Sequence, residues 1–243
     1  MKRLYYAVVY YGSWLVFGVV GLALNLLSLV ALALPLRRRL EPVARKWIQC
    51  ACDFWFRGMH AAGILRVTWV GFERPLPPGT VIVANHPTLI DAILIMARVE
   101  NLICIFKPRL MRNPAIGPVA LLAGYVAADG GVGLIRSASA AVAAGRSLLV
   151  FPEGTRTAPG TALGPLKAGY ALIARRARAP IQFVRIRATP GLTARGRPWW
   201  KLPEQLPLFA HVEVDRLWTP AEQGDATAMT EGLRTRMLES LCP

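Results

Sequence analysis

The sequence predicts an α/β protein in which a mixed, largely parallel sheet is flanked by helices and preceded by a long apolar helical segment. Short apolar runs of strand length recur along the chain, and stretches with helical periodicity separate them. The third observation is an uncharged, apolar stretch from Leu4 to Leu36. A chain of 243 residues is long enough for one sizeable core with an appendage.

The uncharged stretch exceeds the ~20 apolar residues that a helix needs to cross a bilayer. As one straight helix it would extend roughly 50 Å, against a hydrocarbon core of about 30 Å. Basic residues flank it on both sides, with Lys2 and Arg3 before it and Arg37–Arg39 after it. Because basic flanks prefer the cytoplasmic side, we predict that residues 1–40 form a re-entrant hairpin or a single tilted transmembrane anchor.

Residues 41–65 are predicted to form an amphipathic helix with basic polar positions and one apolar stripe made of Val43, Trp47, Cys50, Phe54, Ala61 and Leu65. A basic helix that is rich in Trp and Phe suits the membrane interface. The stripe is equally compatible with packing on the rest of the protein. The remainder, residues 66–243, is predicted to form the α/β domain.

Within this domain, alternation and apolar runs predict strands at 66–72, 81–84, 102–106, 124–128, 147–151, 180–188 and 209–214. Helical patterns occupy the intervals at 87–97, 114–122, 134–145, 170–178 and 221–241. Most intervals between strands therefore contain a helix, as in βαβ units with parallel strands.

The strand at 81–84 ends in a polar corner that carries a histidine. Asn85 and His86 follow the strand, and Pro87 suits the first position of a helix. Asp91 would fall within the first turns of that helix, where the chain reversal can bring its carboxylate onto the imidazole. Such a carboxylate fixes the tautomer, leaves the other ring nitrogen as a base and stabilises the imidazolium. No serine or cysteine lies beside the pair, so the activated hydroxyl is expected to belong to a substrate.

A second strand, at 147–151, ends in another polar loop that contains Glu153, Gly154, Thr155 and Arg156. Glycine allows a ligand to approach the backbone closely, and arginine binds phosphate or carboxylate groups with two parallel hydrogen bonds. If the two strands are parallel, both loops lie at the carboxyl edge of one sheet, where open α/β sheets bind ligands.

Two motifs in this order, about sixty residues apart, resemble those of the glycerolipid acyltransferase family, which includes the 1-acylglycerol-3-phosphate acyltransferases: Asn85-His86-Pro87-Thr88-Leu89-Ile90-Asp91 and Phe151-Pro152-Glu153-Gly154-Thr155-Arg156. The resemblance implies the fold of that family and transfer of an acyl group from a thioester of coenzyme A or acyl carrier protein to a hydroxyl. The cysteines and histidines offer no visible ligand set for a metal ion, and no cofactor beyond the acyl thioester is predicted. The resemblance covers residues 80–188, and it implies a bacterial inner membrane with the catalytic domain on the cytoplasmic face.

By this resemblance, His86 is the general base and Asp91 orients it. The predicted substrate-binding residues are Asn85, Lys107, Glu153, Gly154, Thr155 and Arg156. The chain departs from the family at Ala128-Asp129, where an arginine that holds the acceptor phosphate is expected. An acidic residue there repels a phosphate monoester, which argues against lysophosphatidic acid as the acceptor and for a related lipid of a specialised pathway. The helix start after Pro87 is expected to supply part of the oxyanion stabilisation.

The charge of the chain indicates its partners. It has 29 Lys and Arg against 14 Asp and Glu, a net charge of +15, and 54% hydrophobic residues. Such a field attracts nucleic acid, anionic lipid surfaces, phosphorylated substrates and acidic carrier proteins. The long apolar segment and the lack of a nucleic-acid motif favour membrane lipid, and no nucleic-acid partner is predicted. The alternative function is that of an inactive lipid-binding or scaffold protein, but such a protein needs neither His86 nor Asp91.

Overall fold

A computed structural model describes residues 2–35, 37–114, 116–128, 130–189, 195–196 and 198–241. Its strands are β1 (Leu65–Val70), β2 (Val81–Ala84), β3 (Leu102–Phe106), β4 (Val126–Ala127), β5 (Ser147–Val150), β6 (Ile181–Ala188) and β7 (Leu208–Trp218). They form one seven-stranded sheet in the order β1-β7-β6-β2-β5-β3-β4. Neighbouring strands are parallel except β6 and β7, which are antiparallel. The predicted mixed, largely parallel sheet is therefore confirmed.

The helices are α1 (Lys2–Ala33), α2 (Arg37–Ala61), α3 (Asp91–Met96), α4 (Pro108–Met111), α5 (Gly117–Leu122), α6 (Gly131–Ala143), α7 (Gly169–Ala177) and α8 (Ala226–Leu241), with a 3₁₀ turn at Pro220–Glu222. The sequence located most of them to within a few residues. At the histidine corner the helix predicted to begin at Pro87 begins at Asp91, and the last helix, predicted to begin at residue 221, begins at Ala226.

Helix α1 is continuous from Lys2 to Ala33, so the uncharged segment does not fold back within itself. The chain reverses after it, and α2 returns antiparallel to α1. The Tyr5 hydroxyl donates to the Ala62 carbonyl over 3.0 Å, and Trp55 Nε1 donates to the Ser13 carbonyl over 2.9 Å. Among the described residues, α1 is the helix that is long and apolar enough to span a membrane.

The second half of α1 rests on α5 through a buried asparagine. Asn25 is 2% exposed, its amide nitrogen donates to the Gly21 carbonyl over 2.7 Å, and its Oδ1 accepts from Val119 N over 3.2 Å. The inner face of α1 is thus held by α2 near one end and by α5 near the other. The outer face remains exposed, as at Leu15 and Val30.

Helix α2 packs through a different face from the predicted apolar stripe. Of that stripe, Val43, Trp47 and Phe54 are exposed, whereas the buried positions are Ala44, Arg45, Cys52, Trp55, Phe56 and Met59. Arg45, which was predicted to be a polar surface position, donates to Asn101 Oδ1 and to the Ala123 carbonyl, both over 2.7 Å. Burial lowers the pKa of Arg45. The prediction chose the wrong face of α2 because apolar and polar residues are mixed on both faces of this helix.

Candidate active site

The two motif loops meet at one edge of the sheet because their strands are parallel neighbours. Val81 of β2 is paired with Leu148 of β5. Beyond the strands the loops are joined directly, since Thr157 N donates to the His86 carbonyl over 2.8 Å. The juxtaposition that was expected from parallel strands is therefore present.

Within this edge, His86 and Asp91 form a hydrogen-bonded pair. His86 Nδ1 lies 2.8 Å from Asp91 Oδ2. The same oxygen accepts from Thr88 N over 2.7 Å, and Oδ1 accepts from the Thr88 hydroxyl over 2.5 Å. Asp91 is fully buried at the first residue of α3. The loop that precedes the helix therefore wraps the carboxylate, and the prediction that the helix begins at Pro87 is wrong. The oxyanion contribution expected from that corner stays a prediction.

Two opposing effects act on the pKa of the Asp91 carboxylate. Burial raises its pKa, while the hydrogen bonds from His86 and Thr88 lower it. Removing a carboxylate from water disfavours its charged form, and donors that point at it favour that form. The three donors are thus what allows a negative charge to be kept next to the imidazole.

The imidazole of His86 is held between this carboxylate and an aromatic ring. It stacks on Phe151, the residue after β5, with ring centroids 4.0 Å apart and planes inclined by 14°. Because Nδ1 faces a carboxylate, its proton belongs on that nitrogen, and the unprotonated lone pair belongs on Nε2. Nε2 makes no hydrogen bond to any residue that the structure describes, and the side chain is 18% exposed. The ring can therefore accept a proton from a bound molecule.

Glu153, predicted to bind substrate, is directed into the protein. It is 5% exposed, and its Oε1 accepts from His86 N over 3.1 Å and from the Thr157 hydroxyl over 3.0 Å. Its Oε2 accepts from Gly164 N over 3.0 Å. This carboxylate ties three loop segments together and fixes the backbone of the histidine corner.

Asn85 also has a positioning geometry. It is 3% exposed, its amide nitrogen donates to the Ile186 carbonyl, and its Oδ1 accepts from Ile186 N, both over 2.8 Å. This pair of bonds continues the β2–β6 ladder by one residue through a side chain. The asparagine thus holds the residue before His86 against β6.

The exposed part of the second motif consists of Gly154 and Thr155, with Arg156 half-buried beside them. Gly154 has a φ of +67°, and a Cβ there would lie 3.2 Å from Lys167 Nζ. Lys167, which was not among the predicted site residues, is anchored by its backbone N, which donates to the Pro152 carbonyl over 2.9 Å. Its ammonium forms no ion pair within the described part of the chain. The contact could not be read from the sequence because Lys167 belongs to a separate loop.

Lys107 and Ala128 follow the neighbouring strands at the same edge. Lys107 is exposed directly after β3, which pairs with β5. Ala128 N donates to the Phe106 carbonyl over 2.7 Å. Asp129 lies outside the described residues, so the expected effect of Ala128-Asp129 on the acceptor remains a prediction.

An apolar groove is lined in part by residues that neighbour Asp91 in the sequence. It has a volume of about 480 Å³ and is bounded by α1, α2, α3 and α5. Its wall on the side of the pair includes Leu89, Ala92 and Ile93, and its opposite wall includes Phe17 and Trp55. The residues next to Asp91 thus line the groove while Asp91 itself faces the imidazole. The size is typical of a pocket for a small or chain-like ligand.

Known proteins share the fold and the motif region. Residues 68–187 match the family model described as Acyltransferase. A 1-acyl-sn-glycerol-3-phosphate acyltransferase of Cocos nucifera is 34% identical over 106 residues, 41% of this chain and 34% of the relative. An enzyme of the same name from Helicobacter pylori is 33% identical over 139 residues, 55% of this chain and 55% of the relative. The chain thus spans about a third and about half the length of these relatives.

The crystal structure of the 1-acyl-sn-glycerophosphate (LPA) acyltransferase of Thermotoga maritima has the same fold. The TM-score is 0.77 at 20% identity, and the match covers 99% of this chain and 96% of that one. The likeness extends beyond the motifs to the α1–α2 hairpin. Residues 68–187, which carry both motifs, thus form a domain of the acyltransferase family.

Proposed function

We propose that the protein is a membrane-associated acyltransferase that moves an acyl group from a thioester of coenzyme A or acyl carrier protein to a hydroxyl of a lysophospholipid or a related lipid. The observation that carries this proposal is the His86–Asp91 pair, whose Nε2 makes no hydrogen bond to any described residue, together with an apolar groove that is lined by Leu89 and Ala92. A binding protein needs the groove but not a buried carboxylate behind an accessible imidazole.

In the proposed reaction, His86 Nε2 takes the proton of the acceptor hydroxyl as its oxygen attacks the thioester carbonyl. Asp91 stabilises the imidazolium that forms and keeps the ring oriented. The tetrahedral intermediate then collapses, the C–S bond breaks, and the leaving thiolate is protonated by the imidazolium. The Thr88 hydroxyl donates to Asp91, so it serves the pair rather than acting as a nucleophile. No acyl-enzyme is required.

We assign the groove to the acyl chain. Its walls are aliphatic and aromatic, and burial of a hydrocarbon chain there removes apolar surface from water. Because residues next to Asp91 form one wall, a chain in the groove places its carbonyl end near His86. The α1–α2 hairpin forms the other wall, which gives the hairpin a part in substrate binding as well as in membrane attachment.

We assign the anionic part of the lipid acceptor to the exposed cationic rim of the second motif. Lys167 Nζ lies over Gly154, and Arg156 and Lys107 are at the same sheet edge. Arginine and lysine are the usual partners of phosphate oxygens. Lys167 can thus replace, from a different loop, the arginine that the family pattern expects near Ala128-Asp129.

The organisation of the chain follows from this assignment. Residues 1–40 provide the membrane attachment through α1, residues 41–65 connect it to the domain, and residues 66–243 carry the chemistry. A catalytic site on the cytoplasmic face of a bacterial inner membrane would have both lipid acceptors and soluble thioesters within reach.

The test is mass spectrometry of lipids from membranes incubated with purified protein and a labelled acyl thioester. Wild type and His60→Ala should both form a labelled lipid, since His60 is an exposed histidine on α2 away from the motifs. The His86→Ala protein should form none while its fold is unchanged by circular dichroism. Equal product from the His86→Ala protein would refute the base, and no product from wild type with either donor would favour a lipid-binding scaffold.

A further inference from the structure

Two tryptophans outside the motifs are bonded to the first helix. The Tyr10 hydroxyl donates to the Trp199 carbonyl over 2.5 Å, and the Tyr11 hydroxyl donates to the Trp200 carbonyl over 3.0 Å. The rings of Trp14 and Trp199 pack with centroids 5.3 Å apart. Two hydrogen bonds to backbone carbonyls and one contact between rings thus hold this tryptophan pair against the N-terminal part of α1.

Although their backbones are fixed, the two indoles remain accessible. Trp199 is 44% exposed and Trp200 is 60% exposed, whereas Tyr10, which holds them, is 1% exposed. Large apolar rings that are held in place and yet exposed to solvent are typical of a site that binds a partner or a membrane. Indole and phenol rings are enriched at membrane–water interfaces, where the ring body lies among acyl chains and the polar atom stays hydrated.

The pair adjoins the exposed stripe of α1. This outer face carries Leu4, Val8, Leu15, Val19, Leu22, Leu26 and Val30, all more than half exposed. At 1.5 Å per residue the stripe is about 40 Å long. Because α2 and α5 hold the inner face, only the outer face is available to a further partner.

The charge near the aromatic end identifies that partner. Lys2, Arg3 and Lys201 are exposed and flank the aromatic residues. These cations favour an anionic headgroup layer. A second copy of the chain is a poor partner for this face, since each copy carries a net charge of +15.

We propose that Trp199 and Trp200 form, together with the outer face of α1, a single membrane-binding surface that sits in the interface of an anionic lipid bilayer. The tryptophans mark the headgroup level at the N-terminal end of α1, and the aliphatic stripe lies among the acyl chains. This inference deepens the proposed function by identifying the surface that contacts the lipid, and it predicts lipid contact for a protein that has lost catalysis.

The test uses the full-length His86→Ala protein in vesicles of phosphatidylcholine and phosphatidylglycerol whose acyl chains carry bromine, which quenches nearby indoles. Trp200→Phe and Trp218→Phe are compared with the parent. Trp218 is the matched control because it ends β7, and the loop that carries Trp200 precedes the start of that strand. We expect Trp200→Phe to lose part of the quenchable fluorescence and Trp218→Phe to increase the quenched fraction.

A second arm measures association. Trp199→Ser combined with Trp200→Ser should float with these vesicles about tenfold less well than the parent, as expected for removing two large aromatic surfaces from an interface. Leu172→Ser, an exposed apolar control on α7, should float normally. The proposal is overturned if Trp200→Phe leaves quenching unchanged, or if the tryptophans are shielded from brominated lipid in a dimer. Neither result depends on acyl transfer.

Discussion

Two buried carboxylates follow neighbouring strands at the same sheet edge, yet their surroundings differ. Asp91 has one donor from an imidazole and two from Thr88, and the imidazole side chain is 18% exposed. Glu153 has donors only from backbone amides and a hydroxyl that belong to the loops themselves. A carboxylate next to a titratable ring can assist proton transfer, whereas one that is saturated by fixed donors holds loops in place.

The comparison shows that a motif match does not distinguish chemistry from architecture. Both residues stand in motif positions, and the acceptor-binding role implied for Glu153 rests on that position alone. The structure places Glu153 behind His86, since its carboxylate holds the backbone N of that residue. Variants at the two carboxylates should therefore affect different properties of the protein.

The largest expected effect is that of Asp91→Asn on turnover. The amide oxygen can still accept from Thr88 N and the amide N–H can donate to the Thr88 hydroxyl, but the charge that stabilises the imidazolium is removed, so kcat should fall by about 10²- to 10⁴-fold. The KM for either substrate should change little. Steady-state assays measure both constants, and a kcat within threefold of wild type would contradict the role of the pair.

Asp91→Asn should lower turnover but should raise the stability of the fold relative to wild type as the pH rises. Burial raises the pKa of Asp91 in the folded protein above its unfolded value. The wild-type fold therefore binds a proton more readily than the unfolded chain and loses this contribution as the pH rises through the folded pKa. The stability of Asp91→Asn relative to wild type should thus increase from pH 4 toward pH 7 in denaturant titrations. A relative stability that falls with pH would contradict the direction of the shift.

A smaller effect on turnover and a larger effect on stability are expected for Glu153→Gln. A glutamine amide cannot accept from Gly164 and from His86 together, so one buried N–H loses its acceptor at a cost of about 1–3 kcal/mol. The melting temperature should fall, while kcat should fall by no more than about tenfold. If Glu153→Gln loses as much turnover as Asp91→Asn without any loss of stability, Glu153 takes part in the chemistry.

The smallest effect is expected at the cationic rim. Lys167→Gln removes one charge beside Gly154 without altering the pair, so the KM for a phosphate-containing acceptor should rise roughly three- to tenfold at unchanged kcat. Lys46→Gln is the control, because Lys46 is a 59% exposed lysine that pairs with Glu100. An unchanged acceptor KM would remove Lys167 from the binding surface, and an acceptor without a phosphate should be insensitive to the change.

Local sequence patterns predicted the strands that lead into the two motif loops. The apolar run at 102–106 is β3 with the predicted bounds, and the runs before His86 and Glu153 are β2 and β5. Their parallel pairing follows from the helices between them, so the meeting of the two loops was predictable. The start of α3 was not, because proline at 87 is compatible both with a first helical turn and with the loop that wraps Asp91.

The sequence also could not predict which face of α2 packs inward. Its apolar residues occur on two faces, and the choice depends on which neighbour fills the space. Trp55 is covered by Trp14 and Phe17 of α1, with ring centroids 5.2 Å away in both cases. Arg45 is buried because Asn101 and Ala123 offer it acceptors. Neither partner lies near α2 in the sequence.

The sequence by itself determined the fold class, the apolar helix and the identity of the His86–Asp91 pair, because these depend on residue type and on spacing within a few residues. Tertiary structure alone decided which motif carboxylate is engaged by the fold, that Lys167 lies over Gly154, and that Trp199 and Trp200 are held by α1. The physical reason is that these contacts join different segments of the chain: Gly154 and Lys167 are 13 residues apart, and Tyr10 and Trp199 are 189 residues apart. Local periodicity carries no information about which distant loops meet.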